Sequence, residues 1–151
     1  MKLQRRLKPS EEMQKVIIDT NVIVSSLIQK NYPHLIVHEL LIEEKFDLCV
    51  SEELIAEYYE VLGRHKFKKY QDFYIRAEAL PPDIQRYSTK HFPTVKIEII
   101  SDKDENKILE LADKCEADFI ITGNTNDFTF SIYKHTKIVT PKEYWEKYRP
   151  E

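Results

Sequence analysis

The sequence predicts an α/β domain: a three-layer α/β/α sandwich built on a central parallel sheet. Short apolar runs rich in β-branched residues alternate with longer segments of helical period, the pattern of a parallel sheet with helices on both faces. The first run, Val16-Ile17-Ile18, is apolar at consecutive positions, as in a strand covered on both sides. The chain has 151 residues, enough for one domain with a proper core and too few for two typical ones.

Residues 1–14 are polar and rich in Lys and Arg, and read as a loose leader, so the domain is expected over 15–148. Strand patterns fall at 16–19, 46–50, 95–100, 118–122 and 137–139. After the first, Asp19, Thr20 and Asn21 precede a helix starting near Val22. After the second, Ser51 is placed to cap a helix over 52–62. Pro81-Pro82 reads as a turn between helices. Asp102 is a candidate N-cap for a helix running through Ile108, Leu111, Ala112 and Cys115. Thr140-Pro141-Lys142-Glu143 is a capping box with Pro at the first helical position, opening a last helix through Trp145 and Tyr148.

Composition excludes several function classes. With 23 Lys and Arg against 26 Asp and Glu, the net charge is −3, so any nucleic-acid contact must be local. Only Gly63 and Gly123 are glycines, which removes the Gly-rich phosphate cradles of dinucleotide and P-loop proteins. Cys49 and Cys115 form neither a disulfide framework nor a CxxC motif, and read as reduced, buried thiols. His34, His38, His91 and His135 lack a metal-ligand spacing and receive no role. No apolar run approaches a membrane span, and the first residues are charged where a secretory leader is apolar, so a cytoplasmic protein without membrane contact is expected.

The candidate chemistry lies in acids at strand ends and helix borders. Asp19 stands beyond the carboxyl end of a buried strand, where ligands of open α/β sheets collect, although a helix N-cap would use the same residue. At about 100° per residue, Glu57 flanks the apolar face of Leu54, Ile55, Tyr58, Val61 and Leu62, while Glu52, Glu53 and Glu60 point further outward. Asp104 and Glu105 fall within the buried stripe of the later helix, and Glu110 and Asp113 do not. A capping arrangement with Asp102 accounts for Glu105 equally well. Gly123-Asn124-Thr125-Asn126-Asp127 follows another strand end, where a turn would use the same residue types. Oxygen donors converging without His or Cys select Mg²⁺ or Mn²⁺ over zinc. Such a pocket suits phosphodiester hydrolysis with water as the nucleophile.

These residues resemble the PIN-domain ribonucleases, and most closely the branch described as toxin components of toxin–antitoxin pairs. The resemblance covers nearly all of 15–145. It is carried by Ile-Asp-Thr-Asn-Val at 18–22, Ser51 with Glu57-Tyr58 and Val61-Leu62, Arg64 with Lys66-Phe67, residues 102–112, Ala117-Asp118 with Ile121-Thr122-Gly123-Asn124, and Ile138-Val139-Thr140-Pro141. It implies a Rossmann-like PIN fold, metal-dependent cleavage of single-stranded RNA, and site residues Asp19, Glu57, Glu105 and Asn124. Two positions depart from the family pattern, since Glu105 stands where Asp is normal and Asn124 where Asp is frequent. Asp104 and Asp127 are the acids that could supply the missing charge. A small antitoxin and a homodimer are the partners that such families imply.

Arg64, Lys66, Lys68 and Lys69 cluster with Phe67 and Tyr70 after the Glu57 helix. With Asn21, these cations are the candidate RNA contacts, the aromatics serving either to stack on bases or to fill the core. The expected function is thus an Mg²⁺- or Mn²⁺-dependent endoribonuclease, the toxin of a toxin–antitoxin pair. The alternative is a weakened PIN module that binds RNA or a protein without cutting. A phospho-receiver domain ranks last, because Asp19 lacks a paired acid and Ile100-Ser101-Asp102 is a poor phosphorylation site.

Overall fold

A computed structural model of the protein describes residues 13–28, 30–64, 69, 72–100, 102–125, 128 and 130–151. Its centre is a six-stranded sheet formed by β1 (Lys15–Ile18), β2 (Asp47–Val50), β3 (Ser88–Lys90), β4 (Phe119–Ile121), β5 (Ile132–Tyr133) and β6 (Thr136–Val139). The spatial order is β3-β2-β1-β4-β6-β5. All neighbours are parallel except β5 and β6, which form an antiparallel hairpin at one edge. β2 and β4 are buried along their whole length, and β1 from its second residue, as their consecutive apolar residues require.

From β1 the chain moves outward through β2 to β3, then returns to the other side of β1 as β4. Right-handed crossovers in opposite directions must lie on opposite faces, which produces three layers. α1 (Thr20–Ile28), α3 (Glu52–Leu62) and α4 (Phe73–Arg86) pack on one another, and α5 (Lys103–Cys115) packs on β1 and β2. Between α1 and β2 lies the short α2 (Tyr32–Leu35), which runs on as a π-helical turn, Ile36–Leu41. Tyr58, Tyr144, Phe46 and Phe73 are the largest fully buried side chains.

The caps act as expected. Ser51 accepts from the Leu54 amide at 3.1 Å, and Asp102 accepts from Asp104 N and Glu105 N. Thr140 and Glu143 form both halves of a capping box before α6 (Pro141–Glu143), which continues as a π-helical turn, Tyr144–Tyr148. Gln14, assigned to the leader, is tied into the body, with Nε2 donating to Tyr148 O and Oε1 accepting from the Tyr144 hydroxyl.

Two expectations are corrected. The third strand is Ser88–Lys90, paired with β2, and residues 95–100 form no strand. Their backbone is satisfied by α5 side chains instead: Ile97 N donates to a Glu110 carboxylate oxygen and Ile100 N to Asn106 Oδ1, both at 2.9 Å. Val95 and Ile99 are exposed, whereas Ile97 and Ile100 are buried. Pro81 and Pro82 lie inside α4 rather than in a turn. Each lacks an amide hydrogen and interrupts the helix ladder, but Phe73, Ala77, Leu80 and Ile84 form one buried stripe that holds the helix together.

Candidate active site

Asp19 follows β1 directly and is 4 % exposed. Its amide donates to Ile121 O at 2.9 Å, continuing the pairing of β1 with β4. Oδ1 accepts from Thr20 N at 2.8 Å, and Oδ2 from the Thr122 hydroxyl at 2.7 Å. The start of α1 is held by the Asp19 carbonyl, which accepts from Val22 N at 3.0 Å. One carboxylate oxygen thus holds the first amide of α1, and the other is turned towards the end of β4. It lies between β1 and β4, the point where strand order reverses and where open α/β sheets place their ligands.

Glu57 reaches the same edge from α3, half-buried as its helical phase predicts, with Glu52, Glu53 and Glu60 exposed. The Thr20 hydroxyl donates to Glu57 Oε2, so one residue joins the strand-end acid to the helix acid. Tyr58 donates its hydroxyl to Ile18 O at 2.5 Å from beneath this pair. Burial, then the charges of Asp19 and Glu57, push the Tyr58 phenol well above its ordinary range. The phenol therefore stays protonated as a donor, within the field of both carboxylates.

The two acids opening α5 differ in placement. Glu105 is buried and Asp104 is exposed, although both lay within the predicted stripe. Asp104 lines a small cleft with Glu57, Ser51 and Lys107. Past β4, Asn21 Oδ1 accepts from Gly123 N at 3.1 Å and Thr122 Oγ1 accepts from Asn124 N at 3.0 Å. Asn124 itself is exposed. Asp127 lies outside the described residues, as do Lys66, Lys68, Phe67 and Tyr70. Arg64 is exposed and ion-paired with Glu60 at 2.8 Å, and Lys69 is exposed.

A family model described as "PIN domain" matches residues 15–126, most of the chain. The chain belongs to the PIN-domain family. PIN domains are in general nucleases that use divalent metals, which supports hydrolase activity on the nuclease-like fold. The chain is also similar to an uncharacterized protein of Methanocaldococcus jannaschii, 29 % identical over 142 residues that cover 89 % of this chain and 91 % of the relative. No solved structure matches the chain. Among the described residues no helix is long and apolar enough to cross a membrane.

The donor set fits a hard divalent cation. Asp19 and Glu57 offer carboxylate oxygens joined through Thr20, Asp104 shares a cleft with Glu57, and none of these donors is nitrogen or sulfur. Thr20 and Thr122 were not among the residues predicted for this PIN site. The signal for them was slight: a hydroxyl directly after a strand-end acid, and another closing the next central strand. The structure also brings Cys49, His91 and Cys115 together, although their sequence spacing suggested nothing.

Proposed function

We propose that this PIN domain is an Mg²⁺- or Mn²⁺-dependent endoribonuclease that hydrolyses single-stranded RNA, and that it serves as the toxin of a toxin–antitoxin pair. The observation that carries the reading is the link from Asp19 through Thr20 to Glu57 at the strand-order reversal. Asp19 and Glu57, with Glu105 and Asn124 as further members, would hold the cation, and Asp104 or Asp127 would add charge. A cation held by these residues would supply a lowered pKa for water and offset charge on the phosphate. Thr122 and Thr20 keep the Asp19 carboxylate oriented, and Tyr58 holds the end of β1 in place.

Arg64, Lys66, Lys68 and Lys69 would guide the RNA backbone. The Arg64 to Glu60 pair is solvent-exposed, so a phosphate can displace Glu60 at little cost. Both polar ends of the Asn21 amide are engaged, with Asp19 and with Gly123, so Asn21 supports the site's shape as well as any RNA contact. A small antitoxin and a second copy of the chain are the expected partners.

The test is cleavage of a labelled, unstructured RNA by the wild-type protein and by Asp19→Asn, with Mn²⁺ or with chelator. Cutting only by wild type with metal is the expected result. Equal cutting by both proteins would remove Asp19 from the chemistry. The second reading, RNA binding without cleavage, is favoured by the neutral, exposed Asn124 and would appear as retention of the RNA without products.

A further inference from the structure

We propose that Cys49, His91 and Cys115 form a binding site for one Zn²⁺ ion, separate from the acid site. Cys49 comes from β2, His91 follows the last residue of β3, and Cys115 ends α5. One ligand atom from each lies within 4.8 Å of the others. Tetrahedral zinc, with bonds of about 2.0 Å to nitrogen and 2.3 Å to sulfur, would draw these atoms closer, by up to about 1 Å between the sulfurs. Cys115 lies ten positions beyond Glu105 on α5, about 15 Å along the helix.

The chemistry of the three groups suits a thiophilic cation. Cys49 is wholly buried and Cys115 is 3 % exposed. His91 Nε2 is buried and has no hydrogen-bond partner among the described residues. A buried imidazole nitrogen left in that state costs stability, and a metal bond would satisfy it. Burial lowers the His91 pKa, favouring the neutral form that has a free lone pair. The hydrogen bond with Cys115, then burial, push the Cys49 thiol up, so the metal-free site holds protonated sulfur. Asp47 and Lys15 face both Cys49 and His91 with opposing effects, and Lys114 also faces His91.

Binding displaces one proton from each thiol, and both protons leave to solvent. The product, a divalent ion with two thiolates and a neutral imidazole, has no net charge, which is the arrangement a buried site tolerates best. Mg²⁺ and Mn²⁺ prefer oxygen donors and do not compete here. Three protein ligands leave the fourth tetrahedral position to water. The bound ion would clamp the three-residue edge strand β3 and the end of α5 to β2.

The test uses full-length, reduced, chelator-treated protein in excess Mg²⁺, titrated with Co²⁺. The expected result is a cobalt–thiolate charge-transfer band that saturates at one equivalent and is bleached by Zn²⁺. Zn²⁺ affinity should fall as the pH is lowered, because thiol protons are released on binding. Cys115→Ala should lose the band while Mn²⁺ binding at the acid site persists. Should a cysteine variant fail to fold, His91→Asn keeps the question open, since this half-buried residue can be replaced with less disturbance, and the band should weaken and shift. Absence of the band in folded, reduced wild type would overturn the proposal. So would an unaltered band in the variants, or a Cys49–Cys115 disulfide in protein purified without oxygen.

Discussion

The Thr122 hydroxyl donates to Asp19 Oδ2 at 2.7 Å, joining the ends of β1 and β4 where the strand order reverses. Thr122 Oγ1 also accepts from Asn124 N at 3.0 Å, so one buried hydroxyl both orients the acid and shapes the turn that carries Asn124. Thr122→Val keeps the shape and removes both bonds. We expect a stability loss of about 1–3 kcal/mol, from the two hydrogen bonds lost at Asp19 Oδ2 and Asn124 N, and weaker Mn²⁺ binding. Urea unfolding and metal calorimetry check the two effects. An unchanged unfolding midpoint would show that water replaces the hydroxyl.

Glu57→Gln should reduce Mn²⁺ affinity far more than Glu60→Gln. Glu57 is bonded to Thr20 beside Asp19, whereas Glu60 is exposed and pairs with Arg64. Glutamine still offers Thr20 an oxygen, so the fold should persist and the loss should be one of charge. Calorimetric affinities that match between the two variants would remove Glu57 from the cation site.

Asn124→Asp should tighten Mn²⁺ binding. A unit-charge pair at about 4 Å is worth roughly 4 kcal/mol at an effective dielectric near 20, and the exposure of Asn124 reduces this without reversing its sign. In the absence of metal the added acid should lower the melting temperature, through repulsion from Asp19. Metal titrations and melting curves on both proteins provide the measurement. Weaker binding by the variant would mean that position 124 faces away from the cation.

Stability should fall as pH drops below the ordinary histidine value of 6.5, in part because of His38. Burial, then the neighbouring His34 and Arg76, lower the His38 pKa, while a bond to the Ser26 backbone and Asp83 oppose the shift. A depressed folded-state value means that the unfolded chain takes up the proton first. The contribution is therefore fully present above 6.5 and is lost as pH falls from there through the folded-state value. Melting temperatures from pH 7.5 to pH 5 should decline less in His38→Gln than in wild type; parallel curves would place the effect elsewhere.

Much of the fold was legible because its signals are local. Consecutive β-branched residues marked β1, and the Ser51, Asp102 and Thr140 caps depend on atoms a few residues apart. Glu57 could be separated from Glu60 by helical phase alone. Other features depend on contacts remote in sequence. Whether 95–100 or Ser88–Lys90 is the third strand depends on which segment β2 can pair with, and Glu110 and Asn106 of α5 occupy backbone groups of the former. The prolines of α4 are tolerated because a buried stripe outweighs the interrupted ladder. By itself the sequence determined the strand and helix periods, the caps and the acids of interest. Only the tertiary structure decided that Thr20 joins Asp19 to Glu57, that Thr122 reaches Asp19 across 103 positions, and that two cysteines and a histidine meet. Side-chain periodicity reports which face a residue occupies, whereas strand order and crossover direction decide which faces meet.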